Sequence, residues 1–539
     1  MLNLNVPPIS KRVLSDVELR PARVEKIISE LPMLNIVETS RRLASMIHTN
    51  NRIEIADPSR LELLELYRKP VSDLSTELQK LYLGQPVPLT ERQNAAAEQD
   101  RQFQTEMAFG YKRLVLNGAS SSSANNLSPT EMALLLQRAI RHLAEAIAIS
   151  YEIYSPYPFG AWQEIHTLYR AAEGLKVTET QIADPLNKTM PTSSVAHVYK
   201  QALLLDLADP YHLPARLTKK VQHYLDRWAN LALLLSASPT FDPTCQFLID
   251  SNADHAGVAN THETTIDPPE RYRLLNTVEL ARLVHMHLTT LTNGERPNPD
   301  GFEDTFFSDN MADLLRRLIN VWGLHPKRSF RRNRSNQQKM DVAVGINAIS
   351  YWLNGAARFV VSSTFVGPTQ PPRAQNVTDA HKEIHPELKF ASWDVLDESA
   401  GGFSLALEGQ TGVRVRVGDL LAVRNAGFAV WSLAAVRWVR SPNSSEIEIG
   451  AQRIAPSADA VVIKLLTDEG KETDFLPAMR LPEIKALNQA PSIITHCGVF
   501  RPHRQLYLDD GLRLHHIVAT NAIEMTSAFE RFQFQIRSA

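Results

Sequence analysis

The sequence predicts a multidomain α + β protein: an N-terminal α-helical bundle or solenoid, then a small antiparallel β-barrel, then a small β-rich C-terminal extension. Three observations predict it. Apolar residues recur at helical spacing up to about residue 325, and beyond it short β-rich runs alternate with Gly, Pro and Asn-Ser turns. At 539 residues the chain is too long for one ordinary core. Hydrophobic residues make up 44%, the share of a packed globular chain rather than a disordered one. The expected boundaries are 1–320 for the helical region, divisible near 115–128, 321–468 for the barrel with an insertion near 346–390, and 469–539 for the extension.

In the helical region, Ser128-Pro129-Thr130-Glu131 is the strongest start signal. Ser128 can cap, Pro129 suits the first helical position, and Glu131 can return a bond to the Ser128 amide. The helix that follows should run to about Tyr151, with Met132, Leu135, Ile140, Leu143 and Ile147 along its apolar face. Ser59-Arg60-Leu61-Glu62 has the same capping-box spacing. Further helices are expected around 161–174, 193–207, 214–236, 269–293 and 309–322, with Trp162, Ile165, Leu168 and Tyr169 as core.

In the β-rich part, Phe403–Leu407, Val413–Val417, Leu420–Arg424, Phe428–Val439, Ile447–Arg453 and Val461–Leu466 read as strands of one small barrel. Gly418-Asp419 and Ser441–Ser445 are turns between them. A tail follows with strand-like runs at Ile493-Ile494, Leu506–Leu508, Leu514–Ala519 and Phe532–Ile536, either extending that barrel or forming a small domain of its own.

The 57 basic and 59 acidic residues leave a formal net charge of −2. No global field attracts nucleic acid or an anionic membrane, so an anion site must be a local cluster of Arg or Lys. Cys245 and Cys497 are isolated thiols that fit a reducing cytoplasm. The N-terminus lacks a secretory-signal pattern, and no run approaches the ~18 apolar residues of a membrane span. A cytoplasmic protein without a membrane span is expected.

Such a local cluster stands at Lys327-Arg328-Ser329-Phe330-Arg331-Arg332-Asn333-Arg334, just before the apolar run Val342–Ile346. Downstream, Asp397-Glu398-Ser399-Ala400-Gly401-Gly402-Phe403 precedes a strand. Alone, a basic run is usually a solvated surface and Asp-x-Ser-x-x-Gly usually only a turn. Both in this order resemble the PilZ family, whose signature is Arg-x-x-x-Arg followed by (Asp/Asn)-x-Ser-x-x-Gly. Arg328 and Arg332 match the first element; Asp397, Ser399 and Gly402 match the second. Gly418-Asp419, Ala435-Val436-Arg437-Trp438 and Ile449-Gly450 also resemble the family, over roughly residues 325–465.

The resemblance implies a receptor for cyclic di-GMP. Arg supplies a planar fork for guanine O6/N7 or phosphate and can stack on a base. Asp397 would accept from guanine N1 and N2 donors, Ser399 would bond phosphate, and Gly402 would allow close backbone approach. Arg331 and Arg334 could take over either arginine role, and Lys327, just before the motif, leans towards an intercalated ligand pair. The implied output is a ligand-driven change in domain arrangement and the engagement of an unidentified protein partner by the helical region. Motility, pilus or surface-attachment control is the family context.

No enzyme is expected, and neither a cofactor nor a metal beyond the cyclic di-GMP ligand. Phosphate loops, nucleophile elbows and the signatures of enzymes that make or degrade cyclic di-GMP are absent from the sequence. Asp254, His255, His262 and Glu263 form a carboxylate–histidine set without diagnostic ligand spacing. The rival reading is an adaptor whose PilZ-like barrel is degenerate and does not bind.

Overall fold

The computed structural model describes residues 2–10, 18–119, 127–237, 245–259, 266–297, 306–307, 311–323, 333–334, 338–361, 388–409, 412–466, 473–483 and 490–537. The chain divides into two compact units, Met1–Gln85 with Leu89–Lys327, and Arg328–Ala539 with Pro86–Pro88.

The first unit contains, among the described residues, helices α1 (Pro21–Ser29), α2 (Ile36–Asn50), α3 (Asp57–Tyr82), α4 (Glu91–Gly118), α5 (Pro129–Glu152), α6 (Ala161–Gly174), α7 (Val195–Leu207), α8 (Leu217–Trp228), α9 (Val278–Thr292) and α10 (Met311–Gly323). Ser128 caps α5 in a complete capping box with Glu131, and Pro129 opens the helix. All five apolar positions expected on its face are buried, and so are Leu136, Ala139 and Ala146, because α5 packs against α4, α6 and α7 at once. Trp162, Ile165, Leu168 and Tyr169 of α6 are buried in the same core as Tyr111 of α4 and Trp322 of α10.

Expectations for two features fail here. Ser59 does not cap α3; the helix starts at Asp57, where an acid and a proline in the first turn suit its exposed amides. Thr90 and Gln93 form a capping box for α4 that uses the Gln variant of the motif. The expected helices over 214–236 and 269–293 are each part strand. Besides the short pair β1 (Ile182–Ala183) and β2 (Thr192–Ser193), four strands form an antiparallel sheet: β3 (Leu233–Ser236), β4 (Gln246–Asp250), β5 (Val258–Ala259) and β6 (Tyr272–Asn276), in the order β3-β6-β4-β5. Short apolar runs such as Leu233-Leu234-Leu235 carry no period that separates strand from helix.

The second unit begins with β7 (Asn333–Arg334), β8 (Lys339–Val344) and helix α11 (Ile346–Leu353). It continues through β9 (Phe390–Ser399), β10 (Gly402–Glu408), β11 (Leu420–Asn425), β12 (Ser432–Asn443) and β13 (Glu446–Ala455). The antiparallel order β10-β13-β12-β11-β8-β9 closes through pairing of β9 with β10, and β7 also pairs with β9. The expected strand Val413–Val417 does not join: a closed ring offers no free edge, and Val415 instead makes a single bridge with Val87. The strand expected from Phe428 begins at Ser432, leaving Phe428 and Val430 exposed.

The C-terminal residues form a second closed antiparallel barrel, which settles the alternative left open for the tail. Its strands are β14 (Asp459–Leu465), β15 (Leu476–Leu481), β16 (Ser492–Thr495), β17 (Gln505–Asp509), β18 (Leu514–Met525) and β19 (Glu530–Ile536). They close in the order β14-β15-β16-β19-β18-β17. The run Val461–Leu466, read as the last strand of the first barrel, therefore opens the second. Helix α11 packs on β8 and β11 of the first barrel and on β14 and β15 of the second. Around it Ile349, Leu420, Trp431 and Leu433 share one buried core with Met479, Leu481, Ile494 and Phe529. Trp431 is thus core, with Trp352 and Phe390 beside it and the Arg424 guanidinium 4.4 Å from its ring centroid.

No helix among the described residues is long and apolar enough to cross a membrane.

Candidate ligand-binding site on the first barrel

The Asp-x-Ser-x-x-Gly element is a hairpin. Ser399 ends β9, Ala400-Gly401 turn the chain, and Gly402 begins β10 directly opposite Ser399. The Ser399 hydroxyl donates to the Gly402 carbonyl at 3.2 Å and fastens the turn. Asp397 pairs with Ser404, and a register shift follows at Leu405, a β-bulge that re-aims this end of β9.

Gly402 is required by space, not by backbone freedom. On its other side it faces β13, and a Cβ there would come 2.2 Å from the Ala451 carbonyl oxygen. Only hydrogen fits against that backbone oxygen. Gly402→Ala is expected to cost about 1–3 kcal/mol by forcing β10 away from β13, read as a lower urea midpoint at unchanged m. An unchanged midpoint would contradict this packing.

The basic run reaches the hairpin through the backbone. In β7, Asn333 pairs with Glu398 and Arg334 pairs with Asp397. The last member of the run and the first residue of the downstream element are therefore strand partners, although 63 positions separate them (397 − 334). Asp397, Glu398 and Ser399 are all half-buried. Lys327, Arg328, Arg331 and Arg332 lie outside the described residues, and Arg334 is described by its strand pairing alone.

A further arginine stands at this hairpin. Arg453 at the end of β13 donates its backbone N–H to the Gly401 carbonyl at 3.1 Å. Its guanidinium ion-pairs with Glu398 and lies 5.0 Å from the Phe403 ring centroid. Sequence reading missed it because its place depends on the β10–β13 register. On the neighbouring strand pair, a Cβ at Gly450 would come 1.8 Å from Trp438 Nε1, so the glycine makes the seat for that indole. Arg437 bonds Gln452 at 2.8 Å and Glu524 of the second barrel at 2.5 Å.

The carboxylate–histidine set has a structural use. Asp254 accepts from the backbone amides of Gly160 at 2.7 Å and Trp162 at 3.1 Å, and so caps α6 from a distant loop. The His255 carbonyl bonds the His166 ring at 2.8 Å, while His262 and Glu263 lie outside the described residues. Among the described residues no group of three or more His, Cys, Asp or Glu could hold a metal ion.

A helical region, a closed six-stranded barrel carrying this hairpin beside a basic strand, and a second closed barrel define a PilZ-domain architecture. The sequence comparisons match three family models in chain order, the middle one beginning at residue 246, within the helical unit. Residues 22–240 match the family described as "Cyclic-di-GMP receptor FimW, N-terminal domain". Residues 246–387 and 360–460 match "Cyclic-di-GMP receptor FimW, middle PilZ domain". Residues 461–537 match "FimW C-terminal beta-barrel domain". The chain belongs to the PilZ-domain family, as a large member with a helical N-terminal region. It is similar to the cyclic-di-GMP receptor FimW of Pseudomonas aeruginosa, 25% identical over 589 aligned positions that cover 99% of this chain and 93% of that receptor. No solved structure matches.

Proposed function

We propose that this protein is a cyclic di-GMP receptor, with the ligand held between the Arg328–Arg334 run and the Asp397–Gly402 hairpin of the first barrel. The observation that carries the reading is the pairing of Arg334 with Asp397, which brings the end of the basic run beside the downstream element in one sheet. Similarity over nearly the full length to a protein named as a cyclic-di-GMP receptor supports it.

In this reading the arginine forks take guanine O6/N7 edges and phosphate oxygens, and Asp397 accepts from guanine N1 and N2 donors. Ser399 turns its hydroxyl from the Gly402 carbonyl to a phosphate, and Gly402 contributes by letting β10 lie tight against β13. Lys327 favours a stacked pair of ligands. Binding orders the run, changes the arrangement of the domains, and alters the affinity of the helical region for a protein partner. The setting is a cytoplasmic one, in motility, pilus or surface-attachment control.

Calorimetric titration of the full chain with cyclic di-GMP tests it. The expected result is saturable binding, micromolar or tighter, with about two ligands per chain and at least tenfold weaker binding in Asp397→Ala, the cost of one charge-assisted hydrogen bond. Absence of both heat and thermal stabilisation with the ligand would overturn the receptor reading in favour of an adaptor. A stoichiometry of one would remove the stacked pair alone.

A further inference from the structure

The helical unit contains a cavity of about 960 Å³ between α3, α5 and α8. That is the upper end of the ~300–1,000 Å³ typical of small-molecule sites. Eight Lys or Arg but only three Asp or Glu are among the described residues that line it. In a chain with near-neutral formal charge, that surplus is local.

Its floor is a buried arginine cluster. Arg68, Arg138 and Arg141 converge on the single carboxylate of Asp184, at 2.5, 3.1 and 3.6 Å. Asp184 and Arg138 are each 2% exposed. Glu65 also pairs with Arg68 and Arg138 at 3.1 and 3.4 Å, which leaves Arg141 the least satisfied of the three. One Arg141 nitrogen donates to Gln201 at 3.3 Å, whereas Nε and Nη2 are buried and make no hydrogen bond to the protein. Buried guanidinium donors left in this state are unfavourable until an acceptor arrives. His142, in the same wall, is held well below the ordinary imidazole value by burial and then by the charges of these same three arginines.

The opposite wall is the start of α8. This helix has no side-chain cap and no acid in its first turn; Arg216, Lys219 and Lys220 stand there instead. Cations at a helix N-terminus oppose the macrodipole, so the arrangement suits an anion that both can share. Arg216 sits at φ +71°, and Gly84 makes room for it: a Cβ on Gly84 would come 2.5 Å from Arg216 Nε.

We propose that the helical region carries a second ligand site, in which this basic cavity binds a small phosphorylated anion with two or more phosphate groups, separately from the barrel. The cations on two facing walls and the size of the cavity favour such a ligand over a single phosphate ion.

Sodium tripolyphosphate and ATP are the probes, tested by thermal stabilisation and calorimetry on the full chain. At least one should raise Tm and bind at least tenfold more weakly to Lys219→Gln/Lys220→Gln. Binding should persist in Arg328→Ala/Arg332→Ala, which separates this site from the barrel site. It should persist too in Lys26→Gln/Lys69→Gln, which removes equal charge from exposed positions of the same unit. Absence of binding by both probes at about millimolar concentration, or equal binding to every variant, would overturn the proposal. Loss of binding in the Arg328/Arg332 variant would do the same and move the anion to the barrel.

Discussion

Cyclic di-GMP is expected to bind Arg328→Ala/Arg332→Ala at least about 100-fold more weakly than the natural chain. A hydrogen bond to a charged group contributes about 1.5–3 kcal/mol, so two arginine forks together supply about 3–6 kcal/mol, and each 1.4 kcal/mol is tenfold in affinity. Calorimetry measures the loss directly. The arginine-to-lysine pair separates charge from shape: it keeps the charges but not the planar fork and should recover little of the affinity. Arg331→Ala/Arg334→Ala tests which residues of the run face the ligand. Its effect should be the smaller of the two if Arg328 and Arg332 are the contacting pair. Full affinity in Arg328→Ala/Arg332→Ala would place the ligand elsewhere on the protein.

Asp184→Asn should cost about 3–5 kcal/mol, the usual penalty for removing one partner from a buried charge cluster. The substitution keeps size and shape but withdraws the carboxylate shared by Arg68, Arg138 and Arg141. Burial alone would raise the Asp184 pKa, but the three arginines outweigh it and hold the group below the ordinary carboxylate value. A folded-state pKa below the unfolded one means stability that is present at neutral pH and lost as pH falls through the carboxylate range. The natural chain should therefore lose more stability than Asp184→Asn as pH falls from about pH 5 to about pH 2. Urea unfolding across that range checks both points; parallel curves for the two proteins would contradict the depressed pKa.

The parts of the fold readable in the sequence were those with local causes. Ser128 and Glu131 announce α5 because both halves of a capping box lie within one turn. The sheet inside the helical unit was not readable, since Leu233–Ser236 gains its strand character only from β6, some forty residues on. Closure of the second barrel was hidden for a similar reason. Its strand β15, Leu476–Leu481, contains a proline and no β-branched residue, so it lacks the composition that marks a strand. At the candidate site, each motif element is contiguous and could be read, whereas Arg453 comes from a strand whose register no short motif encodes. The basic cavity was the least visible feature, because Arg68, Arg141, Asp184 and Arg216 come from four segments, each unremarkable alone.

Helix α11 changes how the two β-barrels should be counted. By connectivity they are separate rings, and a gene could in principle trade one without the other. Yet the apolar residues around α11 belong to both, and Arg437 reaches across to Glu524. Cutting the chain after Ala455 would take Met479, Leu481, Ile494 and Phe529 out of the core they share with Ile349, Leu420 and Leu433, where burial of an aliphatic side chain contributes about 1.5–3 kcal/mol. Heating should accordingly melt the rings in one transition, and descent with modification should pass them on as a pair.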